Sequence, residues 1–179
     1  MSDGLDDKRA RFEAQVLPHL DAAYRFARWL EPAPGAADDL VQEAALRAYR
    51  GFERLRGTNV KAWLLAIVKN CHFTAQRARH VRDMVPLSED TDSVQDPALV
   101  ASDDPLKEAL EADQTRALER VLLLLPEEHR EVLILREVED LDYRAIAEVL
   151  GVPLGTVMSR LARARAALRA RYLEREAVS

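Results

Sequence analysis

Apolar residues recur at helical spacing along the N-terminal part of the chain and predict three helices there. The first pattern ends before a breaker cluster at residues 31–35 and consists of Phe12, Val16, Leu20, Ala23, Ala27 and Leu30. The second runs from about Ala37 to Arg54 and places on one face Leu40, Val41, Ala44, Ala48 and Phe52. The third follows a turn in which Thr58 or Asn59 can cap it, and it directs inward Trp63, Leu64, Ile67, Val68 and Cys71.

The C-terminal part continues the helical pattern and contains no strand pattern of useful length. One helix is predicted from about Leu106 to Leu125. Pro126 is suited to the start of the next helix, which extends to about Glu137 and buries Val132, Leu133 and Leu135. The predicted fold class is therefore all-α.

Residues 142–172 predict a helix-turn-helix. Asp142 suits the N-cap of a short helix, and Gly151 allows the left-handed backbone that ends it before a long helix from about Gly155 to Leu173. A small core is expected from Ile146, Leu150, Val152, Val157 and Leu161. In DNA-binding proteins the second helix of such a unit enters the major groove by its N-terminal end. The side chains left there to bind phosphate or base edges are Thr156, Ser159, Arg160 and Arg163.

Charge is distributed unevenly, and this removes an objection to DNA binding. The 179 residues carry 26 basic and 31 acidic side chains, for a net charge of −5. Residues 81–113 hold only 2 basic side chains against 10 acidic ones, whereas residues 1–80 hold 13 against 10. From Ser159 to Arg175 six arginines accompany one acid. Local patches rather than the total set the field that a phosphate backbone meets, so the acidic total does not exclude DNA binding.

A linker is predicted between the two helical parts. The segment from about Met84 to Asp104 contains prolines, serines and aspartates and little helical periodicity. The chain therefore divides into a helical domain at 10–82, an acidic linker at 83–113 and a helix-turn-helix domain at 114–175.

Enzymatic and metal-binding functions find no support in the sequence. It contains no glycine-rich phosphate loop, nucleophile elbow or paired catalytic carboxylates, so neither catalysis nor a cofactor is expected. Cys71 and His72 are adjacent and point in different directions on a helix, and no Cys-x-x-Cys pair exists, so a metal site is not expected either. With one cysteine, no signal-peptide core and no membrane-length apolar run, a cytoplasmic protein is expected.

Motifs in both parts carry a family resemblance. Residues 125–138 (LPEEHREVLILREV) and 141–165 (LDYRAIAEVLGVPLGTVMSRLARAR) closely resemble region 4 of extracytoplasmic-function (ECF) sigma factors. Residues 38–43 (DDLVQE) and 62–70 (AWLLAIVKN) resemble their region 2. The resemblance covers most of residues 10–175. It implies a promoter-recognition subunit that binds core RNA polymerase and promoter DNA, with an anti-sigma factor as a further partner.

The resemblance also implies roles for individual residues. Docking on a coiled coil of the polymerase would fall to Asp39, Gln42 and Glu43. The opened, single-stranded minus-10 element would meet Asn59, Lys61, Lys69 and Asn70, because basic side chains that follow a single strand suit this task. Arg136 matches a position near the minus-35 element. Met158 departs from the family pattern, since many relatives carry Lys or Arg there, and it indicates an altered minus-35 preference. The linker resembles the connector that runs towards the polymerase active site, although a plain soluble tether is nearly as good an interpretation.

Two other functions remain open on the residues alone. A stand-alone transcriptional regulator would use the same helix-turn-helix, with the N-terminal domain for ligand binding or dimerisation, and would bind duplex DNA by itself. An adaptor would bind only another protein. A sigma factor instead forms a 1:1 complex with core polymerase and directs initiation.

Overall fold

In the computed structural model, the described residues are 3–83 and 116–176, and every regular element within these two ranges is helical. This confirms the predicted all-α class. The predicted linker and the first part of the helix expected from Leu106 lie outside the described residues.

The first predicted helix is divided in two. Helix α1 covers Asp3–Val16 and helix α2 covers Leu20–Leu30, with a 3-10 turn at Leu17–His19 between them. Pro18 explains the break, because its ring has no N–H to donate and clashes with the carbonyl of the preceding turn. The prediction of one uninterrupted helix from Phe12 to Leu30 is therefore wrong. Its inward face is nevertheless buried at Phe12, Val16, Ala23, Ala27 and Leu30.

Helices α3 and α4 follow the sequence pattern closely. Helix α3, Ala36–Gly51, begins after Gly35, whose φ of 75° is left-handed, and it ends in a 3-10 turn at Phe52–Arg54. Helix α4, Val60–Asp83, is preceded by Asn59, whose Oδ1 accepts a hydrogen bond from the Ala62 amide at 2.9 Å. The sequence allowed either Thr58 or Asn59 as the cap, and Asn59 is the one that makes the capping hydrogen bond. The buried side chains of α4 include Leu64, Val68 and Cys71, while Trp63 and Ile67 pack half-buried against them.

The C-terminal part is built from four helices within the described residues. Residues 116–123 form the described part of α5, and α6, Glu127–Leu133, continues as a π-helical turn at Ile134–Val138. Helix α7 covers Tyr143–Leu150 and helix α8 covers Leu154–Glu176. The predicted core residues Val132, Leu133 and Leu135 are buried.

The two parts pack against each other. Helices α2, α3 and α4 are in mutual contact, and α8 packs on α6 and α7. Between the parts, α7 lies on α4 and α6 lies on α2, so that the buried apolar side chains form one continuous cluster. Among the described helices, no single one is long and apolar enough to cross a membrane; α7 and α8 pass that test only as a pair bent by 99°.

Candidate nucleic-acid interface

Helices α7 and α8 have the geometry of a helix-turn-helix. The Asp142 carboxylate caps α7 by accepting from the Ala145 amide at 2.8 Å. Gly151 ends α7 with a left-handed φ of 64°, and the two helices meet at 99°. The predicted core between them is buried at Ile146, Val157 and Leu161 and half-buried at Leu150 and Val152. The first residues of α8, Leu154 and Gly155, are exposed, as binding of a major groove by the N-terminal end of this helix requires.

Five of the six predicted minus-35 residues lie on the first three turns of α8. Met158 is 53% exposed, Arg163 is exposed, and Thr156 and Ser159 are half-buried. Arg160 is held by Glu128, with its Nη2 at 2.9 Å from a carboxylate oxygen. One arginine of this surface is thus occupied by a side chain of its own domain.

Arg136, on the π-helical turn, is also engaged within the domain. Its Nη1 donates to the Leu141 carbonyl oxygen at 2.9 Å, and its guanidinium stands 5.6 Å from the centre of the Tyr143 ring. These contacts fix the side chain beside the start of α7. The arginine therefore supports the turn before α7 and remains half-exposed next to it.

The residues predicted for the minus-10 element lie along α4, and two of them are paired across the fold. Asn59 is exposed and caps the helix, and Asn70 is exposed. Lys61 Nζ lies 2.8 Å from a carboxylate oxygen of Glu139 and donates to the Glu139 carbonyl oxygen at 2.7 Å. The second lysine, Lys69, contacts two carboxylates of α6.

Lys69 joins a coupled pair of acids. Its Nζ lies 3.1 Å from Glu127 and also contacts Glu131. Burial raises the pKa of Glu131 to about 7, against the lowering effect of Lys69. Burial acts in the same direction on Glu127, but hydrogen bonds involving Gln76, Glu131 and Lys69 outweigh it and lower its pKa to about 2. Between these two values the pair as a whole holds one proton.

The predicted polymerase-binding residues lie on α3. Asp39 and Gln42 are exposed, and the half-buried Glu43 pairs with Arg47 one turn later at 2.6 Å. Leu40 and Ala44 of the same helix are buried, as the sequence predicted. The three polar groups therefore form an accessible surface on a helix that the core holds in place.

His72 is a contact residue that the sequence did not reveal. It is buried, with Nδ1 2.7 Å from Glu31 and Nε2 3.1 Å from Glu127. Burial by itself would raise the pKa of Glu31, but hydrogen bonds from Arg79 and His72 lower it. Cys71 is buried as predicted, and burial raises the pKa of its thiol. Within the described residues, no group of three or more His, Cys, Asp or Glu side chains could hold a metal ion.

Known families match both parts of the chain. The sequence family of sigma-70 region 2 matches residues 16–80, and the sequence family of sigma-70 region 4 matches residues 115–168. The RNA polymerase sigma-H factor of Pseudomonas aeruginosa is 36% identical over 171 residues, which cover 90% of this chain and 86% of that protein. The chain belongs to the ECF sigma factors.

Other ECF sigma factors show the same degree of similarity. The ECF RNA polymerase sigma-E factor of Haemophilus influenzae is 36% identical over 132 residues, covering 71% of this chain and 69% of that protein. The ECF RNA polymerase sigma factor SigE of Mycolicibacterium smegmatis is also 36% identical, over 86% of this chain. The present chain spans only 58% of the length of that SigE.

Solved structures support the same fold. The sigma factor RpoE of Bartonella quintana, crystallised in complex with the anti-sigma factor NepR, superposes with a TM-score of 0.70 at 28% identity, covering 90% of this chain and 96% of that one. CnrH, solved in complex with the cytosolic domain of CnrY, shares the fold with a TM-score of 0.59 at 23% identity and covers 90% of this chain and 87% of its own. The helical ECF sigma architecture therefore extends over both described parts.

Proposed function

We propose that this ECF sigma factor binds core RNA polymerase and directs promoter-specific transcription initiation. The observation that carries the proposal is the occurrence of both sigma regions in order, the second of them with helix-turn-helix geometry. Residues 10–82 would act as region 2, residues 83–113 as the connector and residues 114–175 as region 4. The site of action would be the cytoplasm, where promoter DNA and polymerase are found.

The division of labour follows from the chemistry of each surface. The α8 surface with Thr156, Met158, Ser159, Arg160 and Arg163, together with Arg136, would contact the duplex minus-35 element. The α4 residues Asn59, Lys61, Lys69 and Asn70 would contact the opened minus-10 strand. A connector between two weak DNA contacts raises the effective concentration of the second once the first has formed.

Binding to core polymerase would use Asp39, Gln42 and Glu43. The exposure of Asp39 and Gln42 on α3, with the half-buried Glu43 beside them, supports this assignment. The double variant Gln42→Ala, Glu43→Ala should weaken the 1:1 complex with core polymerase without loss of helix content in circular dichroism. An exposed i,i+4 ion pair such as Glu43–Arg47 contributes only about 0.3–0.5 kcal/mol, so its loss should not unfold the chain. Core binding as tight as that of the unchanged chain would remove these residues from the interface.

An anti-sigma factor is the proposed regulatory partner. The support is the fold shared with the sigma factor RpoE, whose structure was solved in complex with the anti-sigma factor NepR. Such a partner would cover surfaces that polymerase and DNA require.

Promoter-directed transcription tests the proposed function directly. Core polymerase is incubated with genomic promoter fragments, with and without the chain, and the transcripts are sequenced from their 5′ ends. A sigma factor should produce chain-dependent start sites and bind core at 1:1. A stand-alone regulator should instead bind duplex DNA without polymerase and leave start-site selection unchanged.

A further inference from the structure

Helix α1 contacts the 3-10 turn that leads from α3 towards α4. The Phe12 ring stands edge-on to two other rings, with centroid distances of 5.1 Å to Tyr49 and 5.5 Å to Phe52. Lys8, one turn earlier, has its Nζ 4.9 Å from the centre of the Tyr49 ring and 3.9 Å from a carboxylate oxygen of Glu53. Two side chains of α1 therefore hold the end of α3 and the turn that follows it.

The segment after this turn, residues 55–59, is fixed at both ends, and we call it the α3–α4 loop. At its start, the Leu55 amide donates to the Phe52 carbonyl oxygen at 3.0 Å, and the Leu55 side chain packs half-buried against the core. At its end, Asn59 caps α4. The three residues between these two ends are exposed. The conformation of the loop is therefore set by the two elements that hold its ends.

We propose that Phe12 and Lys8 are positioning residues for promoter recognition. They hold the turn at Phe52–Arg54 and thereby set the conformation in which the α3–α4 loop meets the opened minus-10 strand. The inference rests on the proposed function, which assigns Asn59 at the end of this loop to that strand. It gives a role to a helix that lies almost wholly outside the match to sigma-70 region 2, since that match begins at residue 16.

The inward face of α1 is largely devoted to this contact. Where the side chains of α1 are described, only Phe12 and Val16 are buried, and Lys8 is half-buried. Both ring partners of Phe12 lie at the end of α3 or in the turn after it. Edge-to-face rings prefer a particular mutual angle, and a cation is attracted to the face of a ring, so both contacts specify orientation as well as proximity.

The α3–α4 loop carries groups that benefit from being held in place. Arg56 is exposed, and no hydrogen bond or ion pair engages it in the part of the chain that the structure describes. A guanidinium of this kind is suited to bind a phosphate, and the exposed backbone of Gly57 and Thr58 lies beside it. A loop that is ordered before binding loses less conformational entropy when the strand arrives, so its contacts discriminate better.

Amide hydrogen exchange in the full chain tests the positioning without reference to transcription. Phe12→Leu keeps an apolar side chain but removes the ring, and Lys8→Met keeps the stem but removes the charge. Each should speed exchange of the Leu55 and Ala62 amides, which hold the two ends of the α3–α4 loop, by about fivefold or more.

The controls for exchange are one amide and one variant. The Ala145 amide donates to the Asp142 cap of α7 at 2.8 Å, just as the Ala62 amide donates to the Asn59 cap of α4 at 2.9 Å. Its exchange rate should stay unchanged if the effect is confined to the loop. Arg9→Gln alters an exposed arginine of α1 that pairs only within its own helix, and it should leave all these amides as they are in the unchanged chain.

Transcription by core polymerase with each variant tests the consequence for promoters. A promoter that the unchanged chain activates is made into a library in which each base of the minus-10 and minus-35 elements is changed singly. Phe12→Leu and Lys8→Met should reduce discrimination between minus-10 bases by at least about threefold, because a less ordered loop holds a base less selectively. Discrimination at the minus-35 element and binding to core should stay unchanged. Lys8→Arg keeps a charge over the Tyr49 ring and should retain the minus-10 discrimination.

The outcomes separate the positioning from the proposed function. Unchanged minus-10 discrimination in both Phe12→Leu and Lys8→Met, or an equal loss of transcription from every member of the library, would overturn the positioning and leave the proposed function intact. Failure of the unchanged chain to produce any chain-dependent start site would overturn the proposed function itself. If Phe12→Leu also speeds exchange at Ala145, it destabilises the whole chain, and Lys8→Met, which leaves the three rings in place, decides the result.

Discussion

His72 Nδ1 lies 2.7 Å from Glu31 Oε1, which ties α4 to the residue that ends α2. Arg79, two turns further along α4, donates to the other oxygen of the same carboxylate at 3.0 Å. Glu31 is therefore a buried acid whose charge is held by two donors from one helix. Burial alone would raise its pKa, and the hydrogen bonds from Arg79 and His72 lower it instead.

The substitution Glu31→Gln should lower the free energy of unfolding at pH 7 by about 1–3 kcal/mol, because buried donors lose a charged acceptor. A carboxyl group whose pKa is lowered by folding stabilises the protein above its ordinary pKa of 4.5, and this contribution disappears as the pH falls through the lowered value. The difference in unfolding free energy between Glu31→Gln and the unchanged chain should therefore become smaller as the pH falls from 5 to 3. Urea titrations followed by circular dichroism at pH 7, 5 and 3 measure it.

The control for this prediction is Glu13→Gln. Glu13 forms an exposed pair with Arg9 one turn away, which should contribute little to stability because solvent screens it. Equal losses for Glu31→Gln and Glu13→Gln would show that the contact of Glu31 with His72 and Arg79 does not stabilise the fold.

Glu131 predicts the opposite dependence on pH. Its pKa is raised to about 7, so the folded chain keeps a proton that the unfolded chain releases from about pH 4.5 upward. The contribution of this group to the unfolding free energy is fully present below pH 4.5 and is lost as the pH rises through about 7, a change on the order of 3 kcal/mol. Glu131→Gln should flatten the dependence of the unfolding free energy on pH between 5 and 8. A slope as steep as that of the unchanged chain would assign the titration to another group.

The local features of the fold could be predicted from the sequence, because they depend on neighbours along the chain. Asn59 and Asp142 cap their helices as expected, and Gly151 takes the left-handed turn. The prediction from apolar periodicity was wrong at Pro18, because the apolar pattern runs past this residue although the α-helix ends before it. The predicted face remained correct because both helices direct their apolar sides to the same core.

The contacts between the two halves could not be predicted. Arg25 and Glu139 are 114 positions apart, and each reads in the sequence as an ordinary surface charge. Helical periodicity identifies which side of a helix is buried, but it carries no information on which distant acid meets which base. In the sequence, His72 stands out only as the neighbour of Cys71, because tertiary packing brings its partners Glu31 and Glu127 to it.

The turn of the helix-turn-helix offers a matched pair of glycines. Gly151 has a φ of 64°, and a Cβ added there would meet no atom within 4 Å, so the cost of Gly151→Ala comes from backbone conformation alone. We expect a loss of about 1–2 kcal/mol in unfolding free energy. Gly155 also has open space around it but lies within helix α8, so Gly155→Ala should be neutral or stabilising by about 0.5 kcal/mol. Thermal unfolding measures both, and a loss at both positions would point to steric rather than conformational cost.

Arg160 separates DNA binding from polymerase binding. Its side chain is 24% exposed and paired with Glu128, at the start of the surface proposed for the minus-35 element. Arg160→Ala should reduce promoter-dependent transcription, by about tenfold if one base contact of 1–3 kcal/mol is lost, and leave the complex with core polymerase intact. Pull-down of core polymerase measures core binding, and a run-off assay measures promoter-dependent transcription. Loss of core binding would show that Arg160 belongs to the polymerase interface and not to the DNA interface.

Met158 provides the converse test, in which a contact is added. The side chain is 53% exposed on the same surface, and a thioether supplies no charge for phosphate. Met158→Arg should tighten binding to duplex DNA and steepen the dependence of log K on log salt by about 0.9, the value for one further phosphate contact. Leu173→Arg adds the same charge at the far end of α8, where the side chain is 57% exposed, and should leave that slope nearly unchanged. Anisotropy titrations of a duplex at several salt concentrations compare the two variants. Because both carry the same net charge, an equal change in slope would show that DNA responds to total charge and not to the N-terminal surface of α8.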